Sequence, residues 1–208
     1  MVSNYTQLLG RRYRDRLDAD ANEFIDFAVD GAKRMQELIH DLLQYARVGT
    51  RGKGFKEVPV TRIVSDALAN LAGAIEDASA EIVVATLPTV ACDASQFVQV
   101  FQNLIGNAVK FRRPGQKPVV RVSPTRTDRG WIFAVQDNGI GIERQYFDRI
   151  FQMFQRLHSR SEYAGTGIGL SLCKKIVERH GGRMSVESEP GRGTTFAFTL
   201  PDSARGGQ

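Results

Sequence analysis

The sequence is poor in cysteine, in histidine and in long apolar runs, and each shortage excludes a class of protein. Of its 208 residues only two are cysteines, Cys92 and Cys173, and both lie among apolar neighbours. A disulfide framework is therefore excluded, and we expect a reduced, cytoplasmic protein. No apolar run approaches the ~18 residues of a membrane span, and Met1 does not open a signal peptide. The three histidines form no metal-type spacing with the cysteines and no catalytic Ser/His/Asp or Cys/His set.

The charge balance does not predict a nucleic-acid-binding protein, although the formal net charge is +5. Asp15, Asp18 and Asp20 interrupt the basic cluster near the start of the chain. A second basic cluster, residues 110–117, directly follows a helix with the features of a phosphate site, which indicates a nucleotide-facing or solvated role. We therefore expect no nucleic-acid partner.

Two helices, residues 2–17 and 21–47, are predicted at the start of the chain. The turn between them, Leu17-Asp-Ala-Asp20, offers Asp18 or Asp20 as the N-cap of the second helix. Apolar residues in that helix form a stripe too wide for one neighbouring helix to cover. A lone hairpin would leave the stripe exposed, so we predict a homodimer in which two hairpins form a four-helix bundle. The stripe comprises Phe24, Ile25, Phe27, Ala28, Gly31, Ala32, Met35, Leu38, Ile39, Leu42, Leu43, Tyr45 and Ala46.

The rest of the chain is predicted as a second, larger domain. Residues 48–56 contain three glycines and are predicted as a linker, residues 57–201 as the domain, and residues 202–208 as a flexible tail. The order of helix and strand patterns indicates an α/β sandwich with helices on one face of a mixed sheet, so the whole chain is of the α+β class. Helices are predicted at 61–72, capped by Thr61, at 94–110, capped by Asp93, and at 167–180, and strands at 82–86, 119–123, 131–136, 184–188 and 194–200.

Three polar residues share one face of the helix predicted after Asp93. Asn103, Asn107 and Lys110 lie at positions i, i+4 and i+7, while apolar residues supply the buried face. Amide oxygen is a hard ligand that suits Mg²⁺, which keeps waters and phosphate oxygens in its shell, and the lysine adds a positive charge. The pattern fits a metal–phosphate site, and it also fits two surface asparagines beside a solvated lysine.

The motif Asp137-Asn-Gly-Ile-Gly-Ile142 comes directly after a predicted strand. A carboxylate at this position can accept a hydrogen bond from the exocyclic amine of adenine, whereas guanine presents a carbonyl that a carboxylate repels. Gly139 and Gly141 let the backbone approach the base closely. The alternative interpretation is an Asx turn at the end of a strand.

A third motif, Gly165-Thr-Gly-Ile-Gly-Leu170, opens a helix whose N-terminal N–H groups suit an anion. It lacks the Lys-Ser/Thr pair of a P-loop and does not come after a strand as a dinucleotide motif does. The polar segment before it, residues 155–164, carries Arg156, Arg160 and Tyr163. This segment fits a mobile lid over phosphates, or an ordinary flexible loop.

None of the three histidines is predicted as a phosphoryl acceptor. The pair His40-Asp41 looks like an acceptor motif, but an amphipathic bundle helix continues through it. His158 is placed in the lid segment. His180 is assigned to a helix C-terminus, where a partly cationic imidazole is favourable.

These segments, in this order, resemble the catalytic and ATP-binding domain of sensor histidine kinases. Residues 103–111 are similar to the N box of that family, and Asp137-Asn-Gly-Ile-Gly141 is similar to its first glycine box. Five boxes in order form a specific pattern, and the resemblance covers nearly the whole chain. Residues 154–160 and 38–49 resemble phytochrome-type and hybrid sensor kinases in particular. The other three boxes are Tyr146-Phe-Asp-Arg-Ile-Phe-Gln-Met-Phe154, Gly165-Thr-Gly-Ile-Gly-Leu170 and Gly191-Arg-Gly-Thr-Thr-Phe196.

The resemblance implies a Bergerat ATP pocket, as in type II topoisomerases and heat-shock chaperones, with ATP and Mg²⁺ as ligands. In such a pocket Asn107 would hold Mg²⁺, with Asn103 near the same site. Asp137 would read adenine, reinforced by Thr195. The resemblance further implies nucleotide contacts from Lys110, Phe111, Gly139, Gly141, Gly165, Thr166, Gly167, Gly169 and Leu170, and catalytic roles for Asn103, Lys110, Arg156 and Arg160.

One part of the family pattern is missing from this sequence. The acceptor histidine of the family lies on the first bundle helix, in a segment like His-Asp-Leu-x-x-Pro-Leu. The first residues of this chain resemble the stretch of that helix immediately C-terminal to the acceptor segment. We therefore expect the acceptor upstream of Met1. By the resemblance, the γ-phosphoryl group passes from Mg·ATP to that histidine and then to an aspartate of a response regulator.

Two alternatives to a kinase fit the same sequence. Without an acceptor, the fragment would be unable to autophosphorylate, and it would serve as a dimeric ATP-binding or scaffold module. A stand-alone ATPase of the same fold would need an acidic residue on the N-box helix to activate water, at the position where Asn103 stands.

Overall fold

The computed structural model describes residues 2–50, 54–157, 163 and 165–202. The chain divides into two compact units, Met1–Gln44 and Tyr45–Gln208. No helix within the described ranges is both long and apolar enough to cross a membrane. Residues 51–53 of the predicted linker and residues 203–208 of the predicted tail lie outside the described residues.

The first unit is a helical hairpin. Helix α1 (Val2–Tyr13) is followed by a 3-10 turn (Arg14–Arg16) and then by helix α2 (Ala19–Thr50), whose last residues belong to the second unit. Asp18 is the N-cap of α2, because its Oδ1 accepts a 2.8 Å hydrogen bond from the Ala21 N–H. The other aspartate of the turn lies inside the helix.

The hairpin exposes many large apolar side chains within the first unit. On α2, Phe24 and Phe27 are 68% and 62% exposed. This exposure agrees with a stripe that is wider than one partner helix covers. The other exposed apolar residues of the hairpin are Tyr5, Leu8, Leu9, Tyr13, Leu17, Met35, Ile39, Leu42 and Leu43.

Helix α2 extends through residues 48–50, which we predicted as linker. Val48 is buried, with 3% of its surface exposed, and packs in the core of the second unit. Lys175 Nζ donates to the Tyr45 carbonyl at 2.9 Å. Gln96 Nε2 donates to the Val48 carbonyl at 3.5 Å. The last four carbonyl groups of a helix, Val48 among them, need partners from outside it, so the bond from Gln96 stabilises the longer helix.

The second unit is built from two sheets and four further helices within the described residues. In chain order its elements are β1 (Lys56–Pro59), α3 (Val60–Asn70), α4 (Ala72–Asp77), β2 (Glu81–Val84), β3 (Thr89–Cys92), α5 (Ala94–Lys110), β4 (Val119–Thr127), β5 (Gly130–Asp137), 3-10 turns at Arg144–Tyr146 and Arg149–Phe151, α6 (Gly169–Arg179), β6 (Met184–Glu189) and β7 (Gly193–Pro201). The main sheet has the order β2-β4-β5-β7-β6, in which β2 and β4 are parallel and the other pairs are antiparallel. Strands β1 and β3 form a separate antiparallel pair.

One face of the main sheet packs on α5 and α6 and forms the core. Alternate residues of β7, namely Phe196, Phe198 and Leu200, are buried, as the period of a strand requires. The ring of Phe198 lies 5.6 Å from that of Phe101 and 5.4 Å from that of Phe133, distances at which aromatic pairs add to the gain from burial. The predicted mixed sheet with helices on one face is confirmed.

Local cap predictions had mixed outcomes. Asp93 is confirmed as the N-cap of α5, since its carboxylate accepts from the Gln96 N–H. Thr61 is not a cap, because α3 begins one residue earlier and the Val60 N–H donates to the Pro88 carbonyl at 2.9 Å. A backbone carbonyl from a distant segment, and not a nearby side chain, thus accepts from the first N–H group of α3.

Strands β1 and β3 and helix α4 are only four to six residues long and were not predicted.

His180 comes directly after the last residue of α6 and is buried, with 1% of its surface exposed. Its Nε2 accepts a 3.1 Å hydrogen bond from the Asp93 N–H, so the ring proton is on Nδ1, which donates to the Ile176 carbonyl at 2.7 Å. The rings of Phe55 and Phe97 lie 4.4 and 4.7 Å from the imidazole. Burial lowers the pKa of His180, so the imidazole is neutral, and our expectation of a partly cationic ring is wrong.

The free energy of unfolding should fall as the pH falls below 6.5, the ordinary histidine pKa. Below that pH the unfolded chain binds a proton at His180, whereas the folded protein does not, because the His180 pKa is lower in the folded state than in the unfolded state. The loss approaches about 1.4 kcal/mol per pH unit for this one group. Urea unfolding on both sides of that pH should show a smaller loss for His180→Gln than for wild type. His40→Gln, at an exposed position, is the control, and an equal loss in His180→Gln and wild type would contradict the assignment.

Candidate functional site

The first glycine motif and the end of α5 meet at Gly139. A Cβ atom at Gly139 would lie 2.4 Å from the Phe111 carbonyl oxygen and 2.8 Å from Asp137 Oδ1, so no larger residue fits. The Ile140 N–H donates to the same Phe111 carbonyl at 3.0 Å. The structure therefore brings Asp137, Gly139 and Phe111 together, as the sequence motifs predicted.

Asp137 is a half-buried carboxylate at the end of β5. Its Oδ1 accepts hydrogen bonds from the backbone N–H groups of Gly139 and Thr194, at 2.8 and 3.1 Å. Burial raises the pKa of Asp137, and those two hydrogen bonds oppose the shift. Oδ2 accepts no hydrogen bond from the described part of the chain, so it is the acceptor that remains for a ligand.

Thr194, and not Thr195, is the threonine beside Asp137. In β7, Thr194 is buried on the face that also carries Phe196. Thr195 is paired with Gln136 in the sheet and lies on the other face. Successive strand residues point to opposite faces, so a shift of one position changes the face. The alternation of apolar residues along β7 is the sequence signal that selects Thr194.

The two asparagines of α5 have different surroundings. Asn103 Nδ2 donates to the Gln99 carbonyl at 2.9 Å, and a Cβ atom at Gly169 would lie 2.6 Å from Asn103 Oδ1. Asn103 therefore lies against the first residue of α6. The half-buried Asn107 side chain makes no hydrogen bond within the described residues, which leaves its amide oxygen for a ligand.

A metal ion at this site would need ligands from the nucleotide. Among the described residues, no group of three His, Cys, Asp or Glu side chains is placed to hold a metal ion. Mg²⁺ bound through one hard protein oxygen, phosphate oxygens and water needs no such group. The amide oxygen of Asn107 fits this coordination, and that of Asn103 fits it less well because Gly169 lies against it.

Lys110 lies beside the loop that precedes α6. Its Nζ is 4.2 Å from the centroid of the Phe111 ring, and a Cβ atom at Gly165 would lie 3.3 Å from Nζ. Burial, and then the charge of Arg156, lowers the pKa of Lys110 to about 8. Arg156 Nη2 donates to the Tyr163 carbonyl at 2.6 Å, and the Tyr163 ring lies 4.8 Å from that of Phe111. Two cationic side chains thus meet at this end of the site, which suits a polyanion.

The loop before α6 turns at two glycines. Gly165 and Gly167 have φ angles of +143° and +76°, which other residues rarely adopt. The Gly167 carbonyl accepts from the Phe154 N–H at 3.0 Å. Helix α6 begins at Gly169, later than the predicted start at residue 167. Arg160, the second arginine predicted at the phosphates, lies outside the described residues, as does His158.

Three residues of the glycine motifs have contacts within the protein that the motifs did not indicate. Thr166 Oγ1 accepts from the Ile168 N–H at 3.4 Å. Leu170 is half-buried and packs against the core. Gly141 has a φ angle of +75°, and a Cβ atom there would lie 2.2 Å from the Glu189 carbonyl oxygen. Gly141 is therefore required where its loop packs on the β6–β7 turn, and its approach to a base stays a prediction.

Known protein families and curated proteins include relatives of this chain. Residues 92–204 match the family described as Histidine kinase-, DNA gyrase B-, and HSP90-like ATPase. Over 201 residues the chain is 53% identical to Phytochrome-like protein Cph1 of Synechocystis sp., and over 204 residues it is 51% identical to Cyanobacterial phytochrome A of Nostoc sp.. The matches cover 96% and 98% of this chain but 27% and 26% of the relatives, so the chain spans about a quarter of their length.

Solved histidine kinase structures have the same fold. Histidine kinase ThkA in complex with response regulator protein TrrA has a TM-score of 0.69 at 19% identity, over 96% of this chain and 57% of that one. Full-length ShkA in complex with AMPPNP has a TM-score of 0.67 at 22% identity, over 98% of this chain and 48% of that one. At these identities the likeness concerns the fold alone.

Proposed function

The chain belongs to the family of histidine kinase-, DNA gyrase B- and HSP90-like ATPases, and we propose that its second unit binds Mg·ATP and transfers the γ-phosphoryl group to a histidine. The observation that carries this proposal is the Asp137 carboxylate, whose Oδ1 is held by two backbone N–H groups while Oδ2 stays available as an acceptor. Such an acceptor pairs with the amine of adenine and repels the carbonyl of guanine.

The phosphate end of the site is proposed to lie at Lys110, Arg156 and the loop before α6. The two cationic side chains meet there, and N–H groups at the start of a helix bind phosphate oxygens. Asn107 would hold Mg²⁺ through its amide oxygen, and the bound ion would neutralise phosphate charge. Catalysis by these residues consists of positioning the phosphoryl group and neutralising its charge.

We place the phosphoryl acceptor outside these 208 residues. Both ring nitrogens of His180 are hydrogen-bonded in the core, so neither can act as a nucleophile. His40 lies on the exposed surface of α2, and no proline comes after it as in the acceptor segment of the family. The third histidine, His158, is assigned to the lid segment from sequence alone.

The onward partner is proposed to be the receiver domain of a response regulator, because the related fold of ThkA was solved with the response regulator protein TrrA. A cytoplasmic location is proposed because both cysteines are buried free thiols, as in a reducing compartment. The alternative function is a dimeric ATP-binding or scaffold module, which uses the same nucleotide site without autokinase activity.

Asp137→Asn should weaken the binding of a fluorescent ATP analogue at least about tenfold, a loss of about 1.4 kcal/mol. The amide keeps one oxygen for the two backbone N–H groups but turns an N–H₂ donor toward the adenine amine. Asp128→Asn removes the same charge from an exposed turn and should bind like wild type. Fluorescence anisotropy measures both affinities, and equal binding by Asp137→Asn and wild type would exclude the adenine assignment.

Incubation with γ-labelled ATP separates a kinase from a scaffold module. With a supplied acceptor helix from a histidine kinase, label should appear on that helix and not on the chain, because the chain contributes the nucleotide site only. Asp137→Asn is the control and should label the helix more weakly than wild type when ATP is below saturation. Label on the chain alone would contradict an acceptor outside it. Normal ATP binding with no label on either protein would favour the scaffold module.

The hairpin of the first unit is proposed to dimerise as a four-helix bundle. Large apolar side chains, Phe24 and Phe27 among them, are mostly exposed on it. Neighbouring exposed apolar side chains on this scale mark an interaction surface, and a second hairpin offers a complementary one.

Phe27→Glu should convert the dimer to a monomer in sedimentation equilibrium, because it would place a charge in the covered face. Lys33→Glu introduces a glutamate at an exposed polar position of the same helix and should leave the dimer intact. A monomeric wild type, or a dimeric Phe27→Glu, would rule out the bundle.

A further inference from the structure

The hydroxyl of Ser188, on β6, joins three segments at the adenine end of the site. It accepts a hydrogen bond from the Ile142 N–H at 2.8 Å, where the first glycine motif ends. It also lies 2.8 Å from the Gly193 carbonyl oxygen and 2.9 Å from Thr194 Oγ1. Thr194 in turn donates its backbone N–H to Asp137. One half-buried hydroxyl therefore connects the loop after Asp137 with β7, the strand whose Thr194 N–H binds the Asp137 carboxylate.

A count of protons gives each of these hydrogen bonds a direction. A serine hydroxyl carries one proton, and the Gly193 carbonyl can only accept, so Ser188 donates to Gly193. The proton between Ser188 Oγ and Thr194 Oγ1 must then come from Thr194. With its proton used in this way, the Thr194 hydroxyl offers only lone pairs to any other group.

The loop after Asp137 is held to the β6–β7 turn by backbone contacts as well. The Gly191 N–H donates to the Ile140 carbonyl at 2.7 Å, and Gly141 packs against the Glu189 carbonyl. These contacts do not involve the Ser188 hydroxyl, so the loop keeps them when that hydroxyl is removed. The change would be confined to the Ile142 N–H, the Gly193 carbonyl and the Thr194 hydroxyl.

We propose that Ser188 is a positioning residue that sets selectivity for adenine over guanine nucleotides, by holding the Thr194 hydroxyl as an acceptor beside Asp137. This inference rests on the proposed nucleotide function. Adenine brings an amine to this place and guanine a carbonyl, so a guanine carbonyl meets acceptors while Ser188 is present. Without Ser188 the Thr194 hydroxyl is free to rotate and donate to that carbonyl.

Competition between a fluorescent ATP analogue and unlabelled ATP or GTP tests this role. In Ser188→Ala the ratio of the GTP to the ATP dissociation constant should fall at least about fivefold, as expected for one redirected hydrogen bond. Ser188→Thr keeps a hydroxyl and should keep the wild-type ratio. Ser185→Ala, at an exposed position of the same strand, is the matched control and should also keep it.

A second variant keeps the test decisive if Ser188→Ala fails to fold. Thr194→Val removes the hydroxyl but preserves the shape and the backbone N–H to Asp137, and it should also lower the ratio. An unchanged ratio in a folded Ser188→Ala, or in Thr194→Val, overturns the proposal even where the melting temperature falls, because a purely structural role changes stability and not the ratio. If wild type itself binds no ATP, the proposed function fails, and this inference fails with it.

Discussion

The close approach of two backbone segments at Gly139 is the contact on which the site depends. A side chain there would meet both the Phe111 carbonyl and the Asp137 carboxylate at well under contact distance. The approach carries Asp137 out of water, which costs free energy, and the backbone N–H groups of Gly139 and Thr194 offset that cost through one carboxylate oxygen. The other oxygen is thereby left oriented and available.

The same geometry gives the site an acidic end and a basic end. The residue before Phe111 is Lys110, whose Nζ lies over the Phe111 ring and near Arg156. Burial and like charge disfavour the protonated lysine in the protein alone, and the opposite charge of a bound polyanion would offset both effects. A nucleoside triphosphate needs an acceptor for its base and cations for its phosphates. The C-terminal end of α5 lies between the two, because Lys110 is at the basic end and the Phe111 carbonyl packs against Gly139, near Asp137.

Local sequence rules predicted the features whose partners are local. The caps at Asp18 and Asp93 bond to N–H groups three residues later. Predictions failed where the deciding partner lies far along the chain. Val48 is helical and buried because the core of the second unit packs against it, and Thr61 caps nothing because a distant carbonyl satisfies the start of α3. His180 is neutral because it is buried, which lowers its pKa, and because its Nε2 accepts from the backbone N–H of Asp93, 87 residues away.

The order of the glycine boxes and the residue types within them determined, from sequence alone, the family, the mixed sheet and the position of the Asp137 carboxylate at the end of a strand. Those properties depend on which residues occur at which spacing. Only the tertiary structure decided that Thr194 rather than Thr195 lies beside Asp137, and that Asn103 but not Asn107 packs its amide oxygen against Gly169. Such choices depend on the face of a strand and on neighbours brought close by folding, which spacing along the chain does not specify.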